Sequence, residues 1–253
     1  MAADNGLPRP DWLRLMVRPL VERPSVMGVF TPIVDAPSDN AFTRYYCRLH
    51  VEPFTWFVYG DAVNPRYFER VYDVKYMGAG YTVFRFTAMR HPLVALAQGF
   101  GMRRGFVRRP EFTEDDILPI IQMIEDGWEI AYVPEAGIYH HHLESLSHYA
   151  RKYRWRIRNS LYEDKVGFDN RARYMSRGRK LRKYLFEAYG LSLLFPLLDS
   201  LRLWWREKNA CMLWHGPAAI VLSWIILAEY VRKMGGVGRS KAESRSAGEG
   251  EGR

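Results

Sequence analysis

The stretch CMLWHGPAAIVLSWIILA, residues 211–228, contains no Asp, Glu, Lys or Arg. A helix of about 20 mostly apolar residues is long enough to cross a bilayer, so this run belongs either in a membrane or in a protein core. The preceding run, residues 184–205, carries Glu187 and Asp199 and suits an amphipathic or half-inserted helix. Trp204, Trp205 and Trp214 stand where interfacial anchors are expected. The sequence therefore predicts membrane-associated helices over 184–234, the alternative being a buried hairpin of core helices.

Positive charge is concentrated just ahead of these helices. The net charge is +9, and the segment from Arg151 to Lys183 carries thirteen Lys and Arg against three acids. Such a block can contact phosphorylated substrates or anionic lipid. A nucleic-acid partner is not expected, since no recognised binding motif or aromatic sheet platform accompanies the charge. The sequence predicts a basic linker or helix over 161–183 and a disordered tail over 235–253.

Strand and helix patterns alternate in the first part of the chain. Apolar β-rich runs at residues 25–34, 81–86, 128–133 and 137–140 predict strands. Helices are expected ahead of Pro24, after Asn40 and after Ser145. This alternation predicts an α/β fold in which helices flank a sheet.

An acid cluster opens the strongest helix pattern, Glu114 to Asp126, which Gly127 closes as a C-cap. The cluster comprises Glu114, Asp115 and Asp116. Carboxylates in the first turn of a helix are favoured by the helix dipole and by capping, and this explanation needs no function. The alternative is a general base held in place by a rigid helix.

Three histidines follow in the segment GIYHHH. On a strand, His140 and His142 point to one side and His141 to the other. Two imidazoles and a carboxylate can hold a divalent metal. The alternative is a polar strand end, or histidines hydrogen-bonded within the core.

Taken in order, the motifs TEDDIL, GWEIAYVPEA, IYHHH and RKYRW resemble those of the family-2 glycosyltransferases of the GT-A fold. The resemblance covers roughly residues 4–160. RKYRW, residues 151–155, is similar to the Gln-x-x-Arg-Trp motif of processive members. Arg151 replaces the glutamine, which weakens the case for processive transfer. The resemblance implies a GT-A-like mixed sheet in a catalytic portion over 1–160.

The family resemblance also implies a role for each matching residue. Asp115 is expected to take the proton from an acceptor hydroxyl, with Glu114 orienting it or contacting the acceptor. Donor and acceptor sugar are expected to be bound by Arg151, Arg154, Trp155 and Asp116. A catalytic Mg²⁺ or Mn²⁺ is expected to be held by Asp4, His140 and His142.

The same comparison predicts that the nucleotide-binding strands of the family are missing ahead of Asp4. A start codon placed too late is favoured over a natural truncation. The complete enzyme is expected to transfer a sugar from a nucleotide-sugar donor to a lipid-linked or glycan acceptor, with inversion, at a membrane and with its catalytic part in the cytoplasm. The chain alone is expected to be inactive. The competing hypothesis is a non-catalytic membrane-anchored module that binds anionic lipid through its basic block.

Overall fold

A computed structural model describes residues 5–87, 90, 96, 99–109, 118–140, 143–162 and 175–235. The chain divides into two compact units. The first contains residues 1–145 and 173–183, and the second contains residues 146–172 and 184–253.

The first unit is built on two sheets. Its strands are β1 (Asn5–Gly6), β2 (Val26–Phe30), β3 (Ile33–Val34), β4 (Val74–Gly78), β5 (Tyr81–Phe84), β6 (Gly101–Met102), β7 (Glu129–Tyr132) and β8 (Ile138–His140). The larger sheet has the order β4-β5-β7-β2-β6, and the smaller has the order β1-β8-β3. β2 and β7 are parallel, whereas β5 runs antiparallel to both β4 and β7. The α/β class predicted from the sequence is confirmed, and the larger sheet is mixed.

The described residues of the first unit include the helices α1 (Trp12–Glu22), α2 (Ala41–Leu49), α3 (Pro53–Tyr59), α4 (Phe68–Val71) and α5 (Leu118–Glu125). α1 ends ahead of Pro24 as predicted. α2 begins after Asn40, whose side chain accepts hydrogen bonds from the backbone N–H groups of Phe42 and Thr43. The predicted helix after Asn40 is therefore confirmed.

Both faces of the central strands are covered, because successive side chains point to opposite sides. Phe30 and Ile130 lie in one core cluster with the α5 residues Ile120 and Ile121. Val29, Val83 and Ala131 lie in a second cluster with Met16 of α1. The larger sheet is thus packed between α5 on one face and α1 on the other.

The second unit is helical in its described part. It contains α6 (Leu146–Tyr162), the end of α7 (Arg177–Leu191), α8 (Leu194–Glu207) and α9 (His215–Met234), with a short 3-10 segment at Ala210–Trp214. α6 and α8 both pack against α9. Residues 210–234 are the one stretch of the described chain long and apolar enough to cross a membrane, and half of its most apolar window is buried.

The unit boundary differs from the domain division that the sequence suggested. The sequence placed α6 in a catalytic portion ending at residue 160, whereas α6 groups with the C-terminal helices because α9 packs along it. Residues 173–183 group with the first unit, where the Arg179 guanidinium lies 4.7 Å from the centre of the Tyr59 ring. The predicted tail lies outside the described residues from position 236 onward.

Candidate functional site

The helix that follows the acid cluster is anchored in the core of the first unit. Ile120 and Ile121 of α5 are fully buried. The side-chain amide of Gln122 donates to the carbonyl of Val107 and accepts from the backbone N–H of Arg109, each over 2.9 Å. These two bonds tie the chain just before residue 110 to α5. The three predicted acids fall outside the described residues: Glu114, Asp115 and Asp116.

A two-residue strand brings the beginning of the chain to the first histidine. β1 pairs antiparallel with β8, with Asn5 opposite His140 and Gly6 opposite Tyr139. Asn5 directly follows Asp4, one of the predicted metal ligands. Asp4 and His142 themselves lie outside the described residues. The pairing nevertheless joins two sequence motifs that stand at opposite ends of the first unit's main segment.

The His140 side chain is buried, with 5% of its surface exposed. Ile138 lies two residues before it and packs in a buried cluster with Ile33 and Cys47 of α2. Because side chains two residues apart on a strand share a face, His140 points toward the layer between the smaller sheet and α2. The imidazole therefore occupies an interior position.

An ion pair that the sequence analysis missed lies at the same level of the smaller sheet. β3 pairs parallel with β8, with Val34 opposite Tyr139. Asp35 is the residue after Val34 and His140 is the residue after Tyr139, so the two lie at the same level. Arg48 of α2 holds Asp35 through an Nη2–Oδ2 contact of 2.5 Å. The other carboxylate oxygen of Asp35 is buried and makes no hydrogen bond within the described residues. The sequence did contain a signal for Asp35. This carboxylate comes directly after a strand, at the strand end where α/β proteins bind ligands.

The remaining predicted binding residues lie on α6, in the second unit. Arg151, Arg154 and Trp155 are spaced at i, i+3 and i+4, which puts them on one side of the helix. All three are exposed, and Trp155 has 64% of its surface accessible. An indole face this accessible can stack on a ring, and a guanidinium can neutralise phosphate.

Glu229 is a second residue that the sequence analysis missed. Its carboxylate is buried on α9 and is approached by three guanidinium nitrogens: Arg158 Nε at 2.8 Å, Arg232 Nη1 at 2.9 Å and Arg154 Nε at 3.8 Å. It therefore ties the RKYRW segment of α6 to the apolar helix. An acid inside a long apolar helix is expensive unless it is paired, and this was the signal available in the sequence.

No protein-family model, curated protein or solved structure matches the chain. The described residues also contain no group of three or more His, Cys, Asp or Glu placed to hold a metal ion. The first unit brings Asn5, Asp35 and Arg48 to the level of His140. The second unit presents Arg154 and Trp155 together on one helix face.

Proposed function

We propose that the chain is part of a membrane-associated glycosyltransferase of the family-2 type, which transfers a sugar from a nucleotide-sugar donor to an acceptor hydroxyl. The observation that carries the proposal is the pairing of Asn5 with His140. The resemblance makes Asp4 and the histidines parts of one site, and this pairing supports that reading because it brings the two motifs to neighbouring strands.

The order of elements also supports the proposal. The acid cluster precedes α5, α5 leads into β7, β8 carries His140, and α6 carries RKYRW. The larger sheet is mixed and lies between helices, as the resemblance implies for a GT-A-like catalytic portion. His140 and RKYRW therefore stand on regular elements that can position them rigidly.

The chemistry follows from the residue types. The acceptor hydroxyl oxygen attacks the anomeric carbon of the donor while the bond from that carbon to the nucleotide phosphate breaks. Asp115 takes the hydroxyl proton, which requires a carboxylate within hydrogen-bond reach of the hydroxyl. Arg154 offers positive charge to the departing diphosphate, and Trp155 offers a flat apolar surface to a sugar ring. Direct displacement of this kind inverts the anomeric centre.

A divalent cation suits the proposed donor set. Carboxylate oxygens and imidazole nitrogens are ligands that Mn²⁺ accepts, and carboxylates also suit Mg²⁺. Asp4, His140 and His142 would hold the ion; of these three, the structure describes His140, whose imidazole is buried. When bound, the ion would stabilise negative charge on the nucleoside diphosphate.

The acceptor is proposed to lie at a membrane, as a lipid-linked sugar or a growing glycan. Residues 210–234 are long and apolar enough to enter a bilayer. The basic residues of α6 and the start of α7 carry charge that suits phosphate groups of such an acceptor or of anionic lipid. The catalytic part is assigned to the cytoplasmic side, where nucleotide sugars are made.

The test is a transfer assay on membranes that contain either this chain or the longest polypeptide encoded in the same reading frame. Labelled nucleotide sugars are supplied with Mg²⁺ or Mn²⁺, and label is measured in the lipid and glycan fractions. Asp115→Asn should lower transfer by about 10²–10⁴-fold because the base is lost. Asp126→Asn is the matched control, since that carboxylate belongs to the end of the same helix pattern and pairs with Arg109 at the surface.

Two results would contradict the proposal. One is the absence of transfer from every donor in both polypeptides. The other is an Asp115→Asn variant that retains the activity of the Asp126→Asn control. Salt-sensitive binding to anionic vesicles without any transfer would instead favour a non-catalytic lipid-binding module.

A further inference from the structure

α8 turns large apolar side chains outward, whereas a surface helix of a water-soluble protein turns its apolar face toward the core. Its fully buried positions are Pro196, Ser200 and Leu203, and Asp199 is half-buried. Large apolar side chains cover the opposite side, and Trp205 has 72% of its surface exposed. This outward face of α8 is formed by Leu194, Phe195, Leu198, Leu201, Trp204 and Trp205.

The polar groups turned inward are satisfied by partners within the second unit. The Tyr189 hydroxyl donates to Asp199 Oδ2 over 3.0 Å and lies 3.3 Å from His215 Nε2. Ser200 Oγ donates to the Pro196 carbonyl and accepts from the backbone N–H of Gly216. Polar contacts and small residues inside, with apolar side chains outside, are typical of helices that pack within lipid.

The outward face of α8 consists of six large apolar side chains, each of which is at least 43% exposed. Contiguous apolar patches beyond a few hundred Å² mark interaction sites on monomeric proteins. The residue types of this face indicate what it contacts, because two tryptophans lie at the C-terminal end of the helix beside basic residues. Arg202 and Lys208 are exposed there, and the Lys208 ammonium lies 3.8 Å from the Trp205 ring centre. Tryptophan with lysine and arginine is the composition found at the headgroup level of anionic bilayers.

The length of α8 determines how it meets the bilayer. It has 14 residues, about 21 Å of helix, which is shorter than the roughly 30 Å of bilayer hydrocarbon. We propose that α8 lies in the plane of one leaflet of an anionic bilayer, with its outward face buried at the boundary between headgroups and acyl chains. The inference deepens the membrane part of the proposed function and does not require sugar transfer.

The decisive measurement is the depth of the α8 indoles in vesicles that contain phosphatidylserine. The full chain is added to vesicles whose lipids carry bromine either near the headgroup or deep in the acyl chains. Quenching is compared between the wild type and Trp204→Phe/Trp205→Phe, and the difference reports the two α8 tryptophans. Stronger quenching of that difference by the shallow bromines is expected. The absence of quenching by either lipid, or stronger quenching by the deep bromines, would overturn the in-plane placement.

Flotation with vesicles tests the face itself. Leu198→Glu/Leu201→Glu should weaken partitioning by about tenfold or more, because two charges enter the inserted face. Val17→Glu/Val21→Glu is the matched control, since these side chains are exposed on α1 of the first unit. Far-UV circular dichroism establishes that each variant is folded. Equal partitioning of the two folded variants would overturn the proposal.

The preference of α8 for anionic lipid is tested by removing positive charges from the protein. Arg202→Gln and Lys208→Gln should each lower partitioning into phosphatidylserine vesicles by about fivefold and reduce its salt dependence. Partitioning into pure phosphatidylcholine should change little. Equal affinity of the wild type for neutral and anionic vesicles would contradict the assigned partner. Because these readouts do not involve transfer, a failed transfer assay and a failed membrane placement remain distinguishable.

Discussion

Gly190 is the position where one methyl group should disturb the second unit most. A Cβ atom built on Gly190 would lie 1.7 Å from Ser223 Oγ and 2.4 Å from Ser223 Cβ, with the Ala219 carbonyl oxygen at 3.3 Å. Rotating the serine side chain cannot relieve the second contact, so α7 and α9 must move apart. Overpacking of this kind costs about 3 kcal/mol, and the helix propensity of alanine returns about 1 kcal/mol. We therefore expect Gly190→Ala to lower the free energy of unfolding by about 2 kcal/mol.

The assay is urea unfolding followed by tryptophan fluorescence, because five of the eight tryptophans lie in the second unit. Gly178→Ala is the control in the same helix. No atom of the described residues lies within 4 Å of a Cβ built there, so alanine should leave stability unchanged or raise it by about 0.5 kcal/mol. Gly190→Ala/Ser223→Gly should recover most of the loss, since it removes both clashing atoms. The reasoning is refuted if Gly190→Ala is as stable as the wild type, or if the second change restores nothing.

Three further predictions concern single side chains. Asn40→Ala should lower the free energy of unfolding by about 1 kcal/mol in urea, because it removes the side-chain cap of α2. Glu229→Gln should lower the free energy of unfolding by about 2 kcal/mol, which is less than for a fully buried ion pair because the paired arginines are half-exposed. If high salt leaves the difference in stability between the variant and the wild type unchanged, the effect is not ionic. Burial lowers the pKa of His50 from 6.5 to about 3. Below about pH 6.5 the unfolded chain therefore binds a proton that the folded chain excludes, and the free energy of unfolding should fall as the pH drops. His50→Asn, which tolerates the left-handed backbone at this position, should flatten that fall between pH 7 and pH 5, and an unchanged slope would contradict the assignment.

Elements with a strong local pattern were predictable from the sequence. The apolar run at 128–133 became β7, and Gly127 ends the preceding helix with a φ of 77°. The Asn40 cap was readable because a side-chain oxygen and the N–H groups it binds are only two or three residues apart.

The candidate site was predictable only in part. The motifs identified His140, Arg154 and Trp155, and the structure places the last two on an exposed helix face. Asp35 and Glu229 were missed, because each pairs with arginine on a separate element that only the fold brings beside it. A two-residue strand such as β1 has no periodicity to read, so its pairing with β8 could not be foreseen either.

The sequence by itself determined the α/β class, the main helices and strands, and the apolar character of the C-terminal helices, because these depend on neighbours within a few residues. Only the tertiary structure decided the order of the strands, the placement of α6 with α9, and the direction in which each apolar face points. Leu198 and Ser200 of α8 illustrate the difference, since hydrophobicity alone would have buried the leucine and exposed the serine. Packing against α9 turned the serine inward, where it accepts the Gly216 N–H, and left the leucine on the surface.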